Sequence, residues 1–163
     1  CEGLVGSEMC IRDRSNITDI DDKIIEASKH ENLPIKDLTK KYFEIYMEDI
    51  SLIGINPPDI QPFATDFIEE MIAYIDKLIG LNKAYEASGN VLFRVNTFEN
   101  YGCLSGRKIE EQKHGKRVEV ESYKENENDF TLWKPSRKDE PGWKSPGGYG
   151  RPGWHLELSL INI

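Results

Sequence analysis

The fold is decided by a stretch near the end of the chain, Gly150-Arg151-Pro152-Gly153-Trp154-His155-Leu156-Glu157. Its two glycines and its proline predict a tight turn that lets backbone approach a neighbouring group closely. If the residues after the turn are extended, Trp154 and Leu156 share one face, and His155 and Glu157 share the other. A short strand carrying these side chains suits the mouth of a nucleotide or amino-acid pocket. A surface turn that leads into an ordinary edge strand is the alternative.

A second stretch far upstream has to be interpreted together with the first: Asn16-Ile17-Thr18-Asp19-Ile20-Asp21-Asp22-Lys23-Ile24-Ile25. Residues 15–18 predict the end of a short strand, and Thr18 is predicted to cap a helix that runs to about Lys29. The three aspartates fall where the helix dipole favours negative charge, which we prefer over a magnesium site made by the same carboxylates. In open α/β sheets ligands bind where a strand meets a helix N-terminus, so Asn16 and Thr18 are candidate ligand contacts.

Apolar periodicity predicts two further helices. The first begins near Ile35 and is stopped by Gly54, and the second places apolar side chains from Ile68 to Ile79 on one face. Short connections and single apolar stripes predict that these two helices pack antiparallel. We interpret their aromatic and methionine positions as core rather than as ligand contacts.

After Lys83 the pattern changes to that of strands. Ala84–Ala87 and Val91–Val95 flank Ser88-Gly89-Asn90, which predicts a hairpin. Phe130–Lys134 predicts another short strand, and residues 136–149 are predicted to be a loop because of their prolines and glycines. The fold class is therefore α/β, with helices followed by short antiparallel strands.

Composition and charge favour a module of a larger protein. The chain has 163 residues, of which 38% are hydrophobic and 31% charged, and this fits an elongated or inserted module better than a self-sufficient globule. The net charge is −8, and residues 19–82, with 14 acidic and 6 basic side chains, account for all of the excess. Residues 107–144 are nearly balanced, with 10 basic and 9 acidic side chains. Neither region is a basic stripe that tracks phosphates, so no DNA interface is expected.

The cysteine pattern and the lack of a long apolar run indicate the cellular compartment in which we expect the protein. Cys1, Cys10 and Cys103 form neither a disulfide framework nor a Cys-x-x-Cys knuckle. No apolar run has the length of a membrane span. We therefore expect a soluble protein of the reducing cytoplasm without a membrane partner.

Single polar residues give weaker signals. His155 and Glu157 are two possible zinc ligands, but no third and fourth ligand stand at suitable spacing. His114 is expected to be solvated in a polar loop. Lys134 is either a phosphate contact or, as we favour, a surface lysine at a strand end.

Several stretches, in this order and at this spacing, resemble the cysteinyl-tRNA synthetase family. They are Asn16–Ile25, Tyr101-Gly102-Cys103-Leu104-Ser105, Asp129-Phe130-Thr131-Leu132-Trp133-Lys134, Glu140-Pro141-Gly142-Trp143, Ser145-Pro146 and Gly150–Glu157. The resemblance covers residues 15–157 and implies a class I aminoacyl-tRNA synthetase, whose Rossmann-type catalytic domain is interrupted by an α+β connective insertion with a helical hairpin and short antiparallel strands.

The resemblance also implies a division of the chain. Residues 15–30 would be a Rossmann strand and helix, residues 31–149 mostly insertion, and residues 150–157 the return to the catalytic sheet. Residues 1–14 and 158–163 match nothing in the family. We interpret the first as a disordered or artefactual leader and the second as a foreign tail.

The activity implied by the resemblance is activation of cysteine with ATP to cysteinyl-adenylate, followed by transfer to tRNA(Cys). Thr18 would orient cysteine by hydrogen bonding, Trp154 would enclose its small side chain, and Gly153 would allow a close approach. Asn16 would be a further substrate contact. His155 and Glu157 would support the pocket from beside it.

Departures from the family make this chain a fragment that we expect to be inactive alone. The family's phosphate-handling histidine motif and mobile lysine loop are missing, and Leu158 stands where the family has a zinc-binding cysteine, so the zinc ligands are not present here. Two other functions stay open. One is the related ligase that joins cysteine to an amino-sugar in thiol biosynthesis, and the other is a non-catalytic acidic helical module that binds a protein.

Overall fold

A computed structural model describes residues 13–104, 106 and 122–161, and the chain divides into two compact units, Cys1–Ala64 and Thr65–Ile163. The first unit contains helices α1 (Asp22–Glu31) and α2 (Ile35–Leu52). The second contains helix α3 (Ile68–Gly80), strands β1 (Ala84–Ala87), β2 (Asn90–Phe93), β3 (Phe130–Pro135), β4 (Trp143–Ser145) and β5 (Gly148–Pro152), and helix α4 (Trp154–Ile161). Short 3₁₀ turns cover Ala64–Phe67 and Val95–Thr97.

Helix α1 begins later than the sequence predicts. Its N-cap is Asp21, whose carboxylate accepts a hydrogen bond from the backbone N–H of Lys23 at 3.0 Å. The prediction that Thr18 caps this helix was wrong. Asp21 stands directly before the first turn and brings a charged acceptor, which the helix dipole favours over a hydroxyl. The capping interpretation of the aspartates is confirmed for Asp21.

The segment before α1 is held by backbone pairing, although it forms no continuous strand. Isolated parallel bridges join Arg14 to Ile60 and Ile17 to Phe63. The Ile17 N–H donates to the carbonyl of Pro62 at 2.9 Å, and the Ile17 carbonyl accepts from the Ala64 N–H at 3.0 Å. The predicted strand end at residues 15–18 is thus extended backbone with bridge pairing.

Helix α2 follows the predicted span and packs on α1. Asn32 ends α1 in the left-handed conformation, with φ +52°, and Gly54 follows α2 with φ +78°. Leu38 and Ile50 are buried. The predicted antiparallel pairing of α2 with α3 stays a prediction, because the two helices belong to different units.

A five-stranded sheet is the centre of the second unit. Its strand order is β1-β2-β3-β5-β4, and each neighbouring pair is antiparallel. Trp133 of β3 and Leu92 of β2 are completely buried. Helix α3 packs on β1 and α4, and α4 packs on β3.

The hairpin predicted around Ser88-Gly89-Asn90 is confirmed. Ala87 pairs with Asn90, so the turn consists of Ser88 and Gly89, with φ values of +51° and +78°. Two successive positive φ values give a turn whose twist matches that of the flanking strands. Strand β2 then ends at Phe93, before the predicted limit at Val95.

The prediction of a loop over residues 136–149 was wrong for its second half. Strands β4 and β5 form a hairpin there, in which Ser145 pairs with Gly148. The glycines of this region have different reasons: a Cβ on Gly147 would lie 2.6 Å from a side-chain carbon of Val91, and Gly148 has φ +98° with open space around it. Beyond the predicted loop, a Cβ on Gly150 in β5 would lie 2.2 Å from the Lys134 carbonyl oxygen of the neighbouring strand. Glycine inside a strand often marks such a close approach.

The extended interpretation of Trp154–Glu157 was also wrong, because this stretch is the start of helix α4. Leu156 and Glu157 are buried, whereas Trp154 and His155 are exposed. His155 and Glu157 therefore do not share a face. Gly150–Pro152 belong to β5 of the antiparallel sheet, and the expected return of residues 150–157 to a catalytic sheet stays a prediction. Leucine and glutamate are strong helix formers, and packing on β3 selects the helix.

The described chain is thus α/β, with helices beside an antiparallel sheet. None of the helices in the described ranges combines the length and the apolar composition that crossing a bilayer requires.

Candidate substrate-binding site

The sequence-predicted site residues fall into two groups, one in each unit. Asn16 and Thr18 lie in the first unit, and Gly153, Trp154, His155 and Glu157 lie in the second. Each group is described in its own unit.

Asn16 and Thr18 line a cavity of about 480 Å³ in the first unit, a volume in the range of small-ligand pockets. The pairing of residues 13–17 with residues 60–64 fixes the backbone that carries both side chains. The cavity wall is mainly apolar and comes from the bridged segment, α1 and α2: Ser15, Asn16, Ile17, Thr18, Lys23, Ile24, Ala27, Leu38, Thr39, Tyr42, Phe43 and Tyr46.

The Asn16 amide oxygen has an unusual environment. It is buried, and within the described part of the chain it accepts no hydrogen bond. Leaving such a group unsatisfied costs about 1–3 kcal/mol. The Thr39 hydroxyl of the same wall, in contrast, donates to the Ile35 carbonyl at 3.0 Å. Asn16, a residue of the cavity wall, thus carries a buried acceptor without a donor among the described residues.

Tyr42 is fixed at the cavity by an acid on α1. Its hydroxyl donates to Glu31 at 2.9 Å, and the Lys41 ammonium donates to the other oxygen of the same carboxylate at 3.0 Å. The hydrogen bonds from Lys41 and then Tyr42 lower the pKa of Glu31. The carboxylate therefore stays charged and holds one aromatic side chain of the wall in place.

The wall residues on α2 were missed by the sequence analysis. Leu38, Tyr42 and Tyr46 were assigned to the core because their helical spacing fits a packing stripe. The signal that could have found them is that both tyrosines, one turn apart, carry polar tips, which a fully apolar interior does not require.

In the second unit, Gly153 connects β5 to α4 through close contact with β3. Its N–H donates to the Leu132 carbonyl at 2.7 Å, and a Cβ at this position would lie 2.4 Å from the Thr131 carbonyl oxygen. The close approach expected of Gly153 is therefore made to the protein's own strand. This contact sets where α4 begins.

Trp154 and His155 lie at the exposed start of α4. Their ring centroids are 5.8 Å apart, and the imidazole is 4.9 Å from the ring of Phe130. Phe130 in turn stacks with Phe93 of β2 at 5.2 Å. A continuous row of rings thus runs from the half-buried Phe93 to Trp154, which keeps 57% of its surface exposed and is open to a ligand.

A buried carboxylate fixes the strand that carries Phe130. Asp129 accepts hydrogen bonds from the Tyr85 hydroxyl at 2.8 Å, the Val95 N–H at 2.9 Å and the Asn126 N–H at 3.1 Å. Burial, and then the hydrogen bond to Asp129, raise the pKa of Tyr85 to about 12. The start of β3, and with it the ring beside His155, is therefore firmly placed.

Glu157 differs from its expected setting, whereas Lys134 lies near the end of a strand, as expected. Glu157 is only 2% exposed and points into the unit instead of standing beside the imidazole face. Lys134 pairs with Arg151 across β3 and β5. His114 lies outside the described residues.

The residues that the structure describes do not form the zinc site that the resemblance implies. In the ranges that the structure covers, no three His, Cys, Asp or Glu side chains are grouped to hold a metal. Leu158, directly after Glu157, has no donor atom, and Cys103 is an exposed free thiol.

Comparison with known proteins defines the class. The family model for the tRNA synthetases class I (C) catalytic domain matches residues 9–163. The chain therefore belongs to this family of class I tRNA synthetase catalytic domains. The match includes part of the leader and all of the tail that the sequence analysis set apart.

The individual proteins to which the chain is similar are cysteine–tRNA ligases. The chain is 50% identical over 159 residues to the cysteine–tRNA ligase of Maricaulis maris, covering 98% of this chain and 34% of that protein. It is 54% identical over 146 residues to the cysteine–tRNA ligase of Saccharophagus degradans, covering 90% of this chain and 32% of that protein. The cysteine–tRNA ligase of Parvibaculum lavamentivorans is 52% identical over 146 residues, with 90% and 31% covered. The chain spans about a third of the length of these curated relatives.

Proposed function

We propose that this chain is the cysteine-binding part of a longer ligase that activates cysteine with ATP and transfers it to tRNA(Cys). The observation that carries the proposal is the identity of about half of all positions with cysteine–tRNA ligases along nearly the whole chain, which includes both site stretches.

The rate of the reaction depends mainly on how cysteine, ATP and the tRNA end are aligned. A cysteine carboxylate oxygen attacks the α-phosphate of ATP, a P–O bond to the leaving pyrophosphate breaks, and cysteinyl-adenylate forms. The ribose hydroxyl at the tRNA end then attacks the carbonyl carbon, and AMP leaves. Holding the reactants in line supplies much of the rate in such reactions, and little covalent help from the protein is needed.

In the first unit, Asn16 and Thr18 are the proposed polar contacts of cysteine. The buried Asn16 oxygen is an acceptor without a donor among the described residues, and a substrate ammonium group is a donor of the right kind. The Thr18 hydroxyl is released from helix capping, because Asp21 has that role. It is therefore available to orient the substrate.

In the second unit, Trp154 is the proposed wall around the small side chain of cysteine. Its exposure at the first position of α4 leaves the indole accessible. His155 lies between Phe130 and Trp154 and limits how the indole turns. Gly153 acts by seating the helix on β3. Glu157 is buried and would support the pocket from inside the second unit.

The assignment of the chain to a Rossmann-type domain with a connective insertion is part of the same proposal. Residues 15–30 would be a strand and helix of a Rossmann-type domain, residues 31–149 mostly a connective insertion, and residues 150–157 the return to the catalytic domain. The antiparallel order β1-β2-β3-β5-β4 supports an insertion, because strands of the doubly wound domain run parallel. A cytoplasmic location and the use of ATP follow from the proposed activity.

A chimaera tests the proposal, in which residues 15–157 of this chain replace the matching stretch of the Maricaulis maris relative. We expect it to charge tRNA(Cys) with cysteine, whereas the isolated chain forms no measurable adenylate. The matched control is the unaltered relative, assayed in parallel. A folded chimaera that joins cysteine to an amino-sugar and leaves tRNA uncharged would establish the thiol-biosynthesis ligase instead.

A further inference from the structure

Arg151 lies in β5, three residues before Trp154, and the proposed function gives it no role. Its guanidinium donates hydrogen bonds to the Pro135 carbonyl at 3.2 Å, the Ser136 hydroxyl at 3.1 Å and the Glu140 carboxylate at 3.4 Å. The side chains of Arg151 and Glu140 are only 12% and 13% exposed. A nearly buried guanidinium thus joins β5 to the end of β3 and to the turn that follows it.

The turn that Arg151 contacts is itself closed by hydrogen bonds. The Glu140 carboxylate accepts from the Arg137 N–H at 3.1 Å, and the Glu140 N–H donates to the Arg137 carbonyl at 3.1 Å. A second connection to β5 comes from Tyr149, whose carbonyl accepts from the Ser136 N–H at 3.2 Å and whose hydroxyl donates to the Glu140 carbonyl at 3.3 Å. The closed turn is therefore bonded to β5 at two positions.

The ion pair between Arg151 and Glu140 is better explained by geometry than by stability. A nearly buried ion pair contributes little net stability, because the cost of desolvation offsets the attraction, and apolar side chains of similar volume often replace such a pair without loss. A planar guanidinium differs from an apolar side chain in that its donors have fixed directions. Arg151 therefore defines where the end of β5 lies relative to the turn.

The chain between Arg151 and Trp154 transmits the position of β5 to α4. Pro152 and Gly153 are both buried, and the proline ring restricts φ at the first of them. Gly153 is seated on β3, where a Cβ would lie 2.4 Å from the Thr131 carbonyl oxygen. Neither residue has the freedom to absorb a displacement of Arg151. Such a displacement therefore reaches Trp154, the first residue of α4.

We infer that Arg151 is a positioning residue of the proposed cysteine site, with Glu140 as the partner that orients its guanidinium. It acts through Trp154, because it fixes the start of the helix on which the indole stands. The inference rests on the proposed function in taking Trp154 as the wall around the cysteine side chain.

ATP–pyrophosphate exchange by the chimaera tests this role. Arg151→Met keeps an unbranched stem and removes the donors, and we expect it to raise the KM for cysteine at least about threefold and to leave the KM for ATP nearly unchanged. Arg151→Lys keeps the charge without the fork and should give a smaller increase. Arg137→Met, at an exposed arginine of the same turn, is the matched control and should change neither KM.

A double-mutant cycle distinguishes positioning of the indole from a general structural role. If Arg151 acts through Trp154, Arg151→Met should raise the KM for cysteine no further once Trp154→Ala is present. Effects that multiply in the double variant would overturn the inference. Equal increases in the KM values for cysteine and ATP would also overturn it.

Hydrogen exchange in the 163-residue chain tests the positioning separately from catalysis. In Arg151→Met the amides of residues 153–157 should exchange at least about fivefold faster, and those of residues 84–93 should be unchanged. Unchanged exchange at residues 153–157 would overturn the inference even if the chimaera is active. Should Arg151→Met not fold, Glu140→Gln, which keeps the size of the partner, takes its place with the same expected pattern. If the unaltered chimaera does not activate cysteine, the proposed function fails, and exchange still decides whether Arg151 fixes the start of α4.

Discussion

Two buried acceptors, one in each unit, differ in how their hydrogen bonding is satisfied. In the second unit the Asp129 carboxylate is 1% exposed and accepts three hydrogen bonds from Tyr85, Val95 and Asn126. In the first unit the buried Asn16 oxygen accepts none within the described residues. A satisfied buried network stabilises a structure, whereas an unsatisfied group is a cost that a binding site can carry until its ligand arrives.

The apolar groups show the same contrast. Around Gly150 and Gly153 the second unit has no room for one additional carbon atom. The first unit leaves the large apolar side chains of Tyr42, Ile45, Tyr46 and Leu52 on α2 exposed. The difference teaches that the close contacts of Gly150 and Gly153 are completed within the second unit, whereas this face of α2 is not covered by the described residues of the first unit.

The largest expected effect comes from removing the satisfied group. Asp129→Ala leaves three donors without their acceptor, and we expect it to lower the free energy of unfolding of the second unit by about 3 kcal/mol. Urea unfolding followed by tryptophan fluorescence measures this, because Trp133, Trp143 and Trp154 all lie in that unit.

Asn16→Ala is the matched control for Asp129→Ala. It removes an acceptor that satisfies no described donor, so helix unfolding followed by circular dichroism should show no loss of stability. An equal loss in the two variants would contradict the difference between these two acceptors.

A smaller effect on the free energy of unfolding is expected when the pH is raised. An unfolded tyrosine has a pKa of about 10, whereas the pKa of Tyr85 is raised to about 12 by burial and by Asp129. The folded state therefore keeps this proton to higher pH. The resulting stabilisation is complete below about pH 10 and is lost as the pH rises towards about 12.

Urea midpoints between about pH 9 and about pH 11.5 measure this dependence. Tyr85→Phe should remove much of the slope, and Tyr149→Phe, at an exposed tyrosine, should keep it. A slope that survives Tyr85→Phe unchanged would assign it to other groups.

The sequence predicted those parts of the fold that local signals determine. The turn at Ser88-Gly89 follows from residues that accept positive φ, and α2 and α3 follow from long apolar periodicity. Strands β4 and β5 could not be found in this way, because Gly150 of β5 is required by a close contact with β3 that no local pattern shows.

The candidate site was predictable to a lesser degree. Asn16 and Thr18 were predicted because they stand where a strand was expected to meet a helix, and the structure places both at one cavity; their role in binding stays a prediction. Tyr42 and Tyr46 were missed because an aromatic residue at helical spacing has the same pattern whether it lines a core or a cavity. The alternation in Trp154–Glu157 suggested a strand, and only packing on β3 reveals the helix that buries Glu157.

The most direct test of the proposed cysteine site is ATP–pyrophosphate exchange by the chimaera with and without Trp154→Ala. If the indole encloses the side chain of cysteine, the variant should raise the KM for cysteine by about tenfold or more, corresponding to ~1.4 kcal/mol, and leave the KM for ATP nearly unchanged. Equal increases in the two KM values, or no change in either, would contradict the role of Trp154 in cysteine binding.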